Sequence, residues 1–177
     1  MTNLLIQLLR LTPDALVVSL IPTAVYTLSY TAAKKSLPPI RRIVLVAAFS
    51  AYAFIVLSVT LFNRPAIFCT NNIELFPFAS YRRAMRAPTH LAILEIRDII
   101  LNIAMFIPLG IFLPIFYSAF RKFRITIPIA FLTSLAIEIA QIATCRGIFS
   151  TEDIIHNTLG AVLGLALFLL PSKIVKS

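Results

Sequence analysis

Five apolar runs, at about 15–33, 43–62, 99–120, 125–144 and 154–171, punctuate this chain of 177 residues. Each approaches or exceeds the roughly 18–20 residues that an α-helix needs to cross a bilayer's hydrocarbon core. Inside lipid the backbone must pair its N–H and C=O groups within its own segment, so runs of this length predict helices. The expectation is an all-α, polytopic membrane protein with about five transmembrane helices, one membrane domain over 1–177 and no internal repeat. Composition agrees. With 59% hydrophobic and 13% charged residues, the chain has too little charge to solvate so apolar a body.

Sixteen Lys and Arg against seven Asp and Glu give a net charge of +9. In a soluble chain that excess would suggest nucleic acid. Here the basic residues cluster between apolar runs and no nucleic-acid motif is present, so lipid headgroups and topology signalling account for them better. KKSLPPIRR (Lys34 to Arg42) holds four, Arg121, Lys122 and Arg124 make three, and Lys173 and Lys176 two, all on one side if the five runs span. The other side receives seven: Arg10, Arg64, Arg82, Arg83, Arg86, Arg97 and Arg146. Nine against seven, with every acid on or near the second side, predicts N-out, C-in by the positive-inside rule. Residues 1–12 are too short to span and no small-residue cleavage site follows, so a cleaved signal peptide is not expected.

The long connection between the second and third runs contains NNIELFPFASYRRAM. From Phe78 onward, Phe78, Tyr81 and Met85 share one helical face and Arg82, Arg83 and Arg86 the other. That pattern predicts a short interfacial amphipathic helix with its arginines on headgroup phosphates; the alternative is an ordinary basic loop.

Antiparallel connectivity brings polar residues to one level. Asn102 near the start of the third run, Glu138 and Gln141 near the end of the fourth, and Asn157 at the start of the fifth fall within roughly 5–10 Å of one membrane surface. Ser134, Glu138, Gln141 and Cys145 follow steps of four, three and four, which is one helix face, and Asp153, Asn157, Gly160 and Gly164 repeat the pattern. Gly160 and Gly164 form a GxxxG element that admits a neighbouring helix closely, against the third or fourth run. Pro108 removes a backbone bond and Gly110 loosens the next turn, so a bend is expected there.

An acid at this depth is costly and is a functional suspect. Glu138 must be neutral or paired, with Arg146 and Arg97 as candidate partners. Duller roles stay open for the rest: interhelical glue for Asn102, Gln141 and Asn157, an N-cap for Asp153, interfacial polar residues for His90 and His156. No metal site can be assembled and no cofactor is expected. Cys69 and Cys145 have no zinc or CxxC spacing; a bridge between them is open, since sequence does not show proximity.

Three blocks resemble the VanZ-like membrane proteins, a family named for a teicoplanin-resistance protein. ELFPF (Glu74 to Phe78) is similar to its NLxPF element. Asn102, Phe106, Pro108 and Gly110 match its N-x-x-x-F-x-P-x-G run. Ser134, Glu138, Gln141, Arg146, Asp153, Asn157 and Gly160 match its paired-helix motif. Together they cover about 71–170. Glu74 stands where the family pattern usually has Asn, and Ser150 where many members have a second acid. The resemblance implies an integral protein of the bacterial cytoplasmic membrane and cell envelope, with members linked to glycopeptide resistance.

Three functional readings follow. The polar cluster could engage a surface component on the outer side, such as a lipid-linked cell-wall precursor or a glycopeptide, with membrane lipids around it. Alternatively, the protein is a membrane enzyme acting on a lipid headgroup or lipid-linked wall precursor, with Glu138 as general base, Asp153 or His156 as partner, and Arg146 with the loop arginines on phosphate. No catalytic motif of a known enzyme class supports that alternative. The third is a small proton-coupled carrier, which five helices without a repeat would make more readily as a homo-oligomer through GAVLG.

Overall fold

The computed structural model describes residues 4–64 and 73–174, with side chains from 13 to 170 among these. Backbone contacts divide the chain into two compact units, Met1–Asn63 and Arg64–Ser177. Five helices are long and apolar enough to cross a membrane: Pro13–Lys34, Ile40–Phe62, Thr89–Phe116, Phe123–Ala143 and Thr151–Leu170. The expected all-α, five-span architecture is therefore present.

The first unit is a pair of packed helices, α1 (Leu4–Lys34) and α2 (Ile40–Leu57). Between them Lys35 takes a left-handed φ of 52° and Pro39 precedes the first turn of α2, where a missing N–H costs nothing. Along α1 the hydroxyls of Ser19, Thr23, Thr27 and Thr31 each bond a carbonyl three or four residues back, which satisfies them without water. A π-helical turn, Ser58–Phe62, ends α2.

The second unit holds the remaining elements. In order they are β1 (Ile73–Glu74), α3 (Ala79–Arg86), α4 (Thr89–Phe116), a 3-10 turn (Ser118–Arg121), α5 (Phe123–Ala143), β2 (Phe149–Ser150) and α6 (Thr151–Ile174). α3 is the short amphipathic helix expected from the sequence. The third span starts ten residues earlier than the sequence suggested. Pro88 precedes its first turn, and α4 then runs 28 residues through Pro108 and Pro114. At 1.5 Å per residue that is about 42 Å, beyond the ~30 Å hydrocarbon core. Asn102 thus lies several turns into α4, not in its first turn. Asn157 likewise sits in the second turn of α6, which opens at Thr151.

α4 and α6 pack backbone to backbone. A β-carbon at Gly160 would collide with the carbonyl of Ile103, one at Gly164 with that of Ile107, and one at Gly110 with that of Ala161. The GxxxG face is therefore used within the chain, against the third span. Fully buried Phe106 and Leu165 belong to the same pair of helices. At the opposite end from the polar cluster, Thr126 bonds the Phe120 carbonyl at 2.6 Å and Arg121 lies over the Phe168 ring at 5.7 Å.

β1 and β2 form a parallel two-residue pair, Ile73 opposite Phe149 and Glu74 opposite Ser150. This pairing ties the ELFPF segment to the turn between α5 and α6.

Candidate functional site

Ser134, Glu138 and Gln141 do share one face of α5, and all three are buried. Glu138, 2% exposed, accepts a hydrogen bond from the backbone N–H of Ser150 at 2.8 Å. Ser150 is placed for this by its strand pairing with Glu74. Its hydroxyl also accepts from the N–H of Asp153 at 3.2 Å, so Ser150, not Asp153, caps α6. Ser150 thus serves both as a donor to Glu138 and as the helix cap.

Asn157 donates from Nδ2 to the Ser134 hydroxyl at 2.8 Å, joining α6 to α5 one turn deeper than Glu138. The Asp153 carboxylate acts on Glu138, the Arg64 guanidinium acts on both, and Asp153 also feels His156 and Glu152. Arg64 is the cation that the sequence reading did not choose. Arg97 pairs with its neighbour Asp98 at 2.8 Å instead. Arg146 donates its backbone N–H to the Gln141 carbonyl at 2.8 Å, and a β-carbon added at Gly147 would lie 3.0 Å from the Gln141 β-carbon and 3.3 Å from its side-chain oxygen. The turn is folded tightly over Gln141. Asn102 is half-buried on α4, next to Ile103, which meets Gly160. It shows no side-chain bond to the others among the described residues.

A second group of polar residues lies on the neighbouring face of α6. Glu152 accepts from the backbone N–H of Ser80 at 2.9 Å. α3 has no capping side chain of its own, so Glu152 closes its N-terminus from another helix. One turn on, His156 Nε2 meets the Tyr81 hydroxyl at 2.9 Å, with the rings edge-on at 5.7 Å. Phe78, at a left-handed φ of 69° that a bulky residue rarely adopts, leads into this turn, its ring tilted against that of Tyr81 at 5.9 Å. Three buried atoms of α6, Glu152 Oε1, His156 Nδ1 and Asn157 Oδ1, have no partner among the described residues.

Arg83 is the hub of the outer edge. It bonds Glu74 on β1, Glu95 on α4 at 3.0 Å and the Ser80 hydroxyl at 2.9 Å. Partial burial works against its charge, yet the hydrogen bonds and charges of Glu95 and Glu74 outweigh it and hold the guanidinium above its ordinary range. Of the three arginines expected at headgroups, this one is committed to the protein. Arg82 and Arg86 are exposed.

Among the described residues no group of three or more His, Cys, Asp or Glu could hold a metal ion. Cys145 is disulfide-bonded; Cys69 lies outside the described residues.

A family model described as VanZ/LLP1 matches residues 17–172. The chain belongs to the VanZ/LLP1 family. No curated protein and no solved structure matches it. The VanZ/LLP1 match extends well beyond the three sequence blocks, into the first two helices. Seen in the fold, the blocks of this VanZ/LLP1 member are parts of one assembly. ELFPF supplies the strand and turn before α3, the Asn102–Gly110 run lies against α6, and the paired-helix motif builds the buried acid and its amides.

Proposed function

We propose that this VanZ/LLP1 membrane protein sits in the bacterial cytoplasmic membrane, N-out and C-in, and that its polar cluster engages a cell-surface or lipid-linked envelope component from outside. What carries the reading is the buried layer at one end of α5 and α6. Glu138 is enclosed, and three further buried polar atoms lack partners within the described chain. Each such atom costs about 1–3 kcal/mol, so the layer favours a ligand that brings hydrogen-bond donors to Glu152 and Asn157. Two features support the orientation. The far end carries Arg121, Lys122 and Arg124, and Cys145 at the cluster end is in a disulfide, as in oxidising compartments.

Membership of the VanZ/LLP1 family supports extending this reading to glycopeptide tolerance. Expression in a susceptible host should raise teicoplanin tolerance. Glu138→Ala should abolish the gain, while Glu138→Gln, which keeps an acceptor for the Ser150 N–H, should preserve the fold. Unchanged tolerance on expression of the parent chain, at verified membrane levels, would remove this reading.

The arrangement of His156 beside Tyr81, with Glu152, Asp153 and Arg64 close by, favours a second reading, a membrane enzyme acting on a lipid headgroup or lipid-linked wall precursor. An enzyme should leave its substrate accumulated in a deletion strain, whereas a binding protein should leave the lipid profile unaltered.

A further inference from the structure

We propose that the groove between α3 and the first turns of α4 holds one anionic phospholipid, its phosphate on Arg82 and Arg86 and an acyl chain along Leu91 and Leu94. The site is separate from the Glu138 layer and does not rest on the function proposed above.

The groove has a volume of about 670 Å³, within the range of small-molecule sites. Three arginines and two glutamates line it, but the glutamates, Glu74 and Glu95, are both bonded to Arg83. Arg82 and Arg86 are left without an ion pair among the described residues, which gives the groove a net positive rim. They are four residues apart on one helix and project from one face. Two adjacent guanidinium forks suit the oxygens of a phosphodiester. Behind them Ala87, Pro88, Leu91 and Leu94 make an apolar wall that a free phosphate would not use. Leu75, Phe76, Phe78 and Met85 are exposed around α3, and such a fringe on a short cationic helix belongs at the lipid interface. A cationic rim over an apolar wall at that depth matches a bilayer lipid in both charge and polarity.

The test is native mass spectrometry of the full chain released from detergent with phosphatidylglycerol or phosphatidylcholine. One phosphatidylglycerol should be retained in preference. The double variant Arg82→Gln/Arg86→Gln should hold it roughly thirtyfold more weakly, and Arg82→Lys/Arg86→Lys should fall between. Equal retention of both lipids, undiminished retention by the glutamine variant, or displacement by excess inorganic phosphate would overturn the proposal. Hydrogen exchange on the unsubstituted protein gives an arm independent of variant folding. Amides of α3 and the first turns of α4 should slow in phosphatidylglycerol vesicles relative to phosphatidylcholine, and no difference would count against the site.

Discussion

Glu152 reaches from the first turn of α6 to the amide of Ser80, so a carboxylate on one helix closes the N-terminus of another. Glu152→Ala should therefore act on α3 more than on α6. The helix would lose the one side-chain cap it has among the described residues, at a cost of about 1–3 kcal/mol. Hydrogen exchange should show faster amides across Ala79–Arg86, while the α6 amides, capped by Ser150, keep their protection. Equal loosening of both helices would mean that Glu152 is a general structural residue and not a cap. Arg83→Ala is the contrasting case. Its side chain is about half exposed, at 47%, and its pairs are worth at most about 1 kcal/mol. Sequence spacing made the Ser134, Glu138 and Gln141 face legible, because a step of four and three is a property of one helix. It could not reveal that the donor to Glu138 is a backbone amide, since every residue but proline has one. His156 and Tyr81 were similarly hidden, as partners 75 residues apart on different helices.

At the scale of elements, Gly160 and Gly164 matter for what they omit. Their faces touch the carbonyls of Ile103 and Ile107, so even an alanine methyl has no room. Gly160→Ala or Gly164→Ala should destabilise the α4–α6 pair by about 1–3 kcal/mol or more, read as a lower unfolding temperature in detergent. Alanine at Gly147, which meets only the Gln141 side chain at 3.0 Å, should cost less. The small-residue spacing was readable in the sequence, but its partner helix was not. The extra turns of α4 had a readable signal in Pro88, a residue that suits a helix start. Glu95, Arg97 and Asp98 concealed it by ending the apolar run, although a helix can outlast its lipid-facing portion. Strands β1 and β2 had no signal: two residues each, far apart in sequence, carry no periodicity.

For the molecule as a whole, the five spans were visible because length and hydropathy alone demand them in lipid. Orientation rests on a smaller charge imbalance. It is checked with single cysteines and a membrane-impermeant maleimide in intact cells. Met85→Cys, 79% exposed at the cluster end, should label from outside, and Lys122→Cys only after permeabilisation. The reverse pattern would turn the polar layer toward the cytoplasm. Position 150, although in the same turn region, is a poor reporter because Ser150 is buried.

The glycine contact between α4 and α6 also limits how the molecule can rearrange. Two backbones that meet without an intervening layer of side chains have nothing to shear across, so these helices behave as a fixed post. α3 is attached differently, through the Glu152 cap, the Tyr81–His156 bond and the Arg83 pairs, all of which polar groups on an incoming molecule can exchange for their own. The eight residues of α3, which meet Glu152 and His156 through these bonds, should therefore loosen before the α4–α6 pair does, with earlier hydrogen exchange in α3 as the check.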